Sequence, residues 1–246
     1  MNTVPFRNAY ADEARARAYA TLAFPGTYHL AFRDLGRIFG PVSAGARALD
    51  FGCGTGRSAR FLRDLGYRVT GVDVAEEMLA HARAADPAGE YRRVSEGDLS
   101  TFAGAGFDAA LAAFTFDNIP GDALKTQLLA GLGALLRPGG TLVLIVSTEA
   151  LYRHDWASFR CTEFATNHTA RAGDAVFTRM LDVPDSRPVE DRLCPDADYR
   201  RLFRAAGLAL RERHLPLGRT DEPFAWVNET RIAPWSLYEL EATPRG

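Results

Sequence analysis

The stretch Ala48-Leu-Asp-Phe-Gly-Cys-Gly-Thr-Gly56 constrains what this chain can fold into more than any other feature. A short apolar run ends in Asp50, glycines follow at 52, 54 and 56, and a helical pattern opens at Arg57. A strand that passes through a glycine loop into a helix brings backbone close to a ligand, because glycine has no Cβ to block the approach. An acid at the strand end suits a ligand that carries positive charge.

An alternation of strands and helices surrounds this loop. Arg47–Phe51 reads as a first strand and Arg57–Leu65 as the helix after it. Tyr67–Asp73 is a second strand, Ala75–Ala85 its helix, and Tyr91–Ser95 a weaker third strand before Gly97-Asp98-Leu99. Phe107–Phe114 is continuously apolar, as a strand buried on both faces is. Asp122–Leu136 has leucines at helical spacing, Arg137-Pro-Gly-Gly140 stops it, and Thr141–Val146 is a fifth buried strand. This pitch requires crossover connections and predicts an α/β, Rossmann-like, doubly wound and mainly parallel sheet.

Farther on, Ala175–Asp182 and Val189–Leu193 read as a hairpin around Pro184-Asp185-Ser186. Pro195-Asp-Ala-Asp198 starts a helix with an acidic first turn, which runs over Tyr199–Ala206. Leu208–Leu215 is a sixth strand, and Trp235–Leu240 a seventh, antiparallel strand at the edge. The expectation is one domain over 1–246: a helical lid over 1–45, a core over 46–147, an inserted cap over 148–194 and the rest of the core over 195–246.

A chain of 246 residues is long enough to bury its own core. Its net charge of −2 provides no field favouring nucleic acid or an anionic membrane. Cys53, Cys161 and Cys194 are odd in number and one sits in the glycine loop, which fits a reducing cytosol rather than a disulfide framework. The N-terminus has no apolar core of signal-peptide length, and no run approaches the roughly 18 apolar residues that cross a bilayer. The expectation is a cytoplasmic protein with neither a membrane nor a nucleic-acid partner; the sequence leaves the oligomeric state unread.

In an open parallel sheet, ligands bind beyond the carboxyl ends of the strands where strand order reverses. Each carboxyl end here carries a suggestive group. Asp50 and the glycine loop end the first strand. Asp73, nineteen residues beyond Gly54, ends the second and can accept from both hydroxyls of a ribose. Asp98-Leu99 follows the third, where a carboxylate can accept from an adenine amine. Phe114-Thr115-Phe116 follows the fourth.

Asp-x-Gly-x-Gly-x-Gly over residues 50–56, with Asp73, Asp98-Leu99 and the Arg-Pro-Gly-Gly turn, resembles the ordered motif set of the class I S-adenosylmethionine (SAM) methyltransferases. The likeness covers about residues 46–147 and continues to about 240. It implies SAM as cofactor and S-adenosylhomocysteine (SAH) as product. It also implies that Gly52 and Gly54 pack against the methionine part, with Asp50 near its ammonium and Asp73 on the ribose. Val74 and Met78 would flank the adenine, Asp98 and Leu99 would read its edge, and the Phe114 carbonyl would help hold the amino group. A dinucleotide-binding oxidoreductase would want glycine at position 57, which is Arg57, and a catalytic Tyr-x-x-x-Lys, which is absent. A SAM-binding protein without catalysis would carry the same cofactor half.

Methyl transfer from a sulfonium is an in-line displacement, accelerated by geometry and exclusion of water. A base is needed only where the acceptor must lose a proton. The candidates are Glu229 first, then His168, then His154. Aromatic residues in the covers suit a small planar acceptor: Tyr19, Phe24 and Tyr28 in the lid, Tyr152, Trp156 and Phe159 after the fifth strand, and Trp226 with Asn228 before the seventh. Tyr19 is expected to touch the cofactor, and Tyr28, Trp156, Trp226 and Asn228 the acceptor. Asp117-Asn118 resembles the acidic ligands of metal-dependent O-methyltransferases, but the matching second cluster is missing, so no metal is expected. Phe24-Pro-Gly-Thr-Tyr-His29 and Glu222-Pro-Phe-Ala-Trp-Val-Asn-Glu-Thr230 resemble features of bacterial natural-product methyltransferases, the toxoflavin-type azapteridine N-methyltransferases among them. That likeness implies transfer to a nitrogen of a planar heteroaromatic metabolite, with a phenolic or carboxylate oxygen as the alternative.

Overall fold

The computed structural model describes residues 12–23, 25–95 and 98–243. Phe24 and Gly97 of the sequence reading lie outside them.

The alternation folds as its pattern predicts. Strand β1 (Arg47–Phe51) passes through the glycine loop into α4 (Arg57–Asp64). Then come β2 (Arg68–Asp73), α5 (Glu76–Ala85), β3 (Glu90–Arg93), β4 (Phe107–Ala113), the single turn α6 (Thr115–Asn118), α7 (Asp122–Leu135) and β5 (Leu136–Ser147). Helix α8 (Asp196–Ala205), β9 (Leu208–His214) and β10 (Trp235–Ala242) complete the core. The sheet runs β3-β2-β1-β4-β5-β10-β9, with β10 antiparallel to both neighbours. Strand order reverses between β1 and β4, which places the glycine loop and the end of β4 at one crevice. Two apolar layers sandwich the sheet, one containing Leu30, Leu35, Ile145 and Trp235, the other Leu49, Phe107, Leu129 and Tyr199.

Two expectations are corrected. The seventh strand is not at the edge: β10 lies between β5 and β9, and its first four residues are buried. The charged segment Arg211-Glu-Arg213 puts β9 at the rim instead. The fifth strand begins at Leu136, opposite Phe107, because Arg137–Gly140 forms an irregularity within the ladder instead of a separate turn.

The covers are helices α1 (Glu13–Ala20), α2 (Thr27–Arg33) and α3 (Leu35–Phe39), and a three-stranded antiparallel sheet of β6 (Phe159–Arg160), β7 (Ala175–Met180) and β8 (Val189–Arg192). The expected hairpin is β7–β8; β6 had no sequence signal at two residues' length. The covers meet each other: the guanidinium of Arg15 pairs with Asp185 in the hairpin turn at 3.2 Å and donates to the Pro188 carbonyl, and Arg187 reaches back to Asp12. No helix among the described residues is long and apolar enough to cross a membrane.

Candidate active site

The glycine loop is shaped for close approach. Gly52, Gly54 and Gly56 all have positive φ. A Cβ on Gly52 would lie 2.2 Å from Oγ1 of Thr115, and one on Gly54 would lie 3.1 Å from Cε of Met78. The Gly54 amide donates to Oδ2 of Asp73 at 2.8 Å, and the Ala75 amide to Oδ1 at 2.9 Å. Each Asp73 oxygen keeps a lone pair for a ligand hydroxyl. Burial pushes the Asp73 carboxyl above its ordinary range.

Asp50 is fully buried. Its Oδ2 accepts from the Ser58 hydroxyl at 2.6 Å, while Oδ1 has no partner. Burial, with Asp73 nearby, pushes its carboxyl up to about 7. A buried carboxylate oxygen without a partner is costly unless a ligand supplies one. An ammonium is such a partner, so the residues present fit the methionine part of SAM. Met78 and Ala75 pack with Ala16 of α1, and Tyr19 lies against them. Val74 is half-buried at the same strand end. Leu99 is buried in the core, and Asp98 is exposed, its Oδ1 taken by the Ser100 amide at 2.9 Å.

Phe114 ends β4 with φ +61, the one non-glycine residue among those described with positive φ. Its amide donates to the Ile145 carbonyl at 2.9 Å. A bulky side chain in this region costs energy and marks a constrained site. The kink lets α6 turn off the strand, so Asp117 meets β5, where it accepts from the amide and hydroxyl of Ser147.

Beside Phe114 lies a cavity of about 40 Å³ that opens to solvent. Tyr19, Tyr28, Phe114, Phe159 and Trp235 form its aromatic wall. Asp117, Asn118, Ser147, Thr178 and Asp191 line it too. Tyr28 packs edge-on to Phe114, with ring centroids 5.7 Å apart. Tyr19 belongs both to this wall and to the Met78 cluster, so it joins the two halves of the site. The polar lining was not among the sequence candidates, apart from Asp117-Asn118 considered as metal ligands. Asp191 comes from the cap, where Val189-Glu-Asp-Arg192 reads as a charged hairpin strand; its burial exists only once β8 packs on α6.

Six other candidates lie elsewhere. Glu229, expected as the base, is fully buried but does not line the cavity. Its Oε1 accepts from the Thr27 hydroxyl at 2.6 Å and the Ala157 amide at 2.7 Å; its Oε2 accepts from the amides of Val227 and Asn228. Four donors occupy the carboxylate, so it clamps three segments together and has no proton-accepting role at the cavity. His168 is exposed in a short turn, and the buried residue there is Asn167. Trp156 is a core residue whose indole donates to the Leu151 carbonyl. Trp226 covers Gly218 and donates to the Arg219 carbonyl, while Asn228 donates to the Asp155 carbonyl. His154, the third candidate base, has its ring Nδ1 3.0 Å from the Ala150 carbonyl.

The family model described as a methyltransferase domain matches residues 49–144, the segment from β1 through most of β5. The chain carries a class I SAM-dependent methyltransferase domain. It is 33% identical over 105 residues to the ubiquinone biosynthesis O-methyltransferase of Xanthomonas axonopodis pv. citri, covering 41% of this chain and 43% of that protein. To the malonyl-[acyl-carrier protein] O-methyltransferase of Pectobacterium atrosepticum it is 34% identical over 145 residues, 54% of this chain and 53% of the relative. The chain thus spans about half the length of the curated relatives it matches. The CcbJ methyltransferase of Streptomyces caelestis shares the fold, with a TM-score of 0.62 at 22% identity over 93% of this chain and 96% of that one. This methyltransferase domain accounts for the glycine cradle, the unpartnered Asp50 oxygen and the Asp73 carboxylate at the crevice.

Proposed function

We propose that this chain is a SAM-dependent methyltransferase acting as one domain on a small planar metabolite in the cytoplasm, with a heteroaromatic nitrogen as the acceptor. The observation that carries this reading is the aromatic-walled cavity beside Phe114, joined through Tyr19 to the glycine-loop crevice. Aromatic rings together with a few hydrogen-bonding groups in one lining suit a flat molecule held in one orientation. Such fixed geometry supports in-line displacement without a nucleophilic side chain. The role in natural-product biosynthesis belongs to this proposal.

Transfer to an oxygen, phenolic or carboxylate, is the second reading, and it is favoured by the O-methyltransferase names of both curated relatives. Titration calorimetry with SAH, against NADH as control, tests the cofactor. Incubation with methyl-labelled SAM and a panel of planar heterocycles and phenols, followed by mass spectrometry, tests the acceptor. Labelled N-methyl products support the first reading and labelled ethers the second. SAH failing to bind while NADH binds overturns both.

A further inference from the structure

We infer that Asp191, paired with Asp117, receives the proton of the methyl acceptor and selects neutral or cationic N–H and O–H donors over carboxylates. This inference rests on the methyltransferase reading and adds to it a named proton acceptor and a charge rule for the substrate.

Both acids are buried, at 5% and 7% exposure, and both line the cavity. Oδ2 of Asp117 is occupied by Ser147, whose amide and hydroxyl lie at 3.0 and 2.8 Å. Asp191 is held more loosely. Its Oδ1 accepts from Nδ2 of Asn118 at 2.5 Å and its Oδ2 from the Tyr152 hydroxyl at 3.1 Å, which leaves each oxygen a lone pair. Thr178 of β7, a buried residue, lines the same cavity. A buried carboxyl with spare lone pairs in a cavity wall is an arrangement that a donor-bearing ligand completes.

The charge of the pair sets the selection. Desolvation pushes both carboxyls upward, and the charge of Asp117 pushes Asp191 further. The other ionisable groups that bear on them are Tyr152, Tyr199 and Cys194, and the buried ammonium of Lys125, 5.3 Å from the centre of the Tyr199 ring. One cation facing two acids favours a pair that shares a proton and carries one negative charge near neutral pH. A carboxylate acceptor would bring a further negative charge into this dry wall. A phenol or ring N–H would instead donate to Asp191. As its lone pair bonds to the methyl carbon and the carbon–sulfur bond breaks, the electron pair leaves on sulfur and the acceptor's proton passes through Asp191 to the singly charged pair, which ends with both carboxyls protonated.

The test uses SAH-loaded protein and three probes, phenol, aniline and benzoate, measured by calorimetry and ligand NMR at pH 7.5. Phenol or aniline is expected to bind at least about tenfold more tightly than benzoate, and Asp191→Asn is expected to erase that preference with SAH affinity and thermal melting unchanged. With any acceptor that is turned over, Asp191→Asn is expected to lower turnover by roughly 100-fold, the low end for a lost general base. Tyr152→Phe, which removes only a donor to Asp191, is expected to move the pH midpoint of that turnover upward. Benzoate binding as well as phenol, no probe binding at all, or an Asp191→Asn protein that keeps the preference would overturn the inference. Absence of SAH binding overturns the methyltransferase reading instead, and the probe preference is then read on the protein without SAH.

Discussion

Replacing Glu229 separates a structural carboxylate from a catalytic one. Four donors converge on it, the Thr27 hydroxyl and the amides of Ala157, Val227 and Asn228. In Glu229→Gln the amide oxygen can keep the Val227 and Asn228 bonds, but the new NH2 group then faces the Ala157 amide, donor against donor. The Thr27 hydroxyl can turn to accept; the Ala157 amide cannot. One orphaned amide, with charge assistance lost at two others, costs about 2–3 kcal/mol. Glu229→Ala leaves three part-buried amides without their acceptor and costs about 3 kcal/mol or more, a large part of the roughly 5–15 kcal/mol that a domain has in total. Urea denaturation followed by circular dichroism measures both, and calorimetry with SAH checks the crevice. The expected order of midpoints is wild type, Gln, Ala, with SAH affinity of the Gln protein intact well below its midpoint. A Gln protein as stable as wild type, with turnover lost, would refute the clamp and restore Glu229 as the base.

Asp73→Ala is expected to weaken SAH binding by about 1–3 kcal/mol, roughly 5-fold to 150-fold, because the ribose partner and the anchor of the Gly54 amide go together; an unchanged Kd in calorimetry would remove Asp73 from the ribose. Gly52→Ala is expected to abolish SAH binding or lower the melting temperature, since its Cβ would sit 2.2 Å from Oγ1 of Thr115 at φ +72. Asp50 makes the fold less stable as pH rises from about 4 to about 7: the unfolded chain loses the proton near 3.8, while the buried carboxyl keeps it up to about 7. Asp50→Asn is expected to flatten that part of the stability curve. A ligand ammonium reverses the preference by holding Asp50 ionised, so SAH affinity should fall as pH drops below 7, with a proton released on binding. Calorimetry in buffers of different ionisation enthalpy checks this, and no proton release would count against an ammonium at Asp50.

The cofactor half was legible because it is local. Asp50, the glycines and Asp73 sit at the ends of strands whose apolar runs and spacing are written in consecutive residues, and the parallel alternation brings strand ends to one side. Glu229 was read as chemistry because an isolated acid between aromatics carries no sign of its partners. Those partners are an amide at 157 and a hydroxyl at 27, and only folding puts them within 3 Å. Trp156 misled similarly: an aromatic residue in a loop reads as a wall of a site, whereas its indole is satisfied by the Leu151 carbonyl inside the core.

The sequence by itself determined the sheet, the crevice and the kind of ligand the glycine loop admits, because hydrophobic periodicity and backbone conformation are properties of neighbouring residues. Only the tertiary structure decided what faces the acceptor. Asp117 and Asp191 are 74 positions apart, and the sequence singled out only Asp117, as part of a metal-ligand pattern; the turn at Phe114 and the packing of β8 on α6 remove water from both at once, and that shared desolvation gives the pair its chemistry.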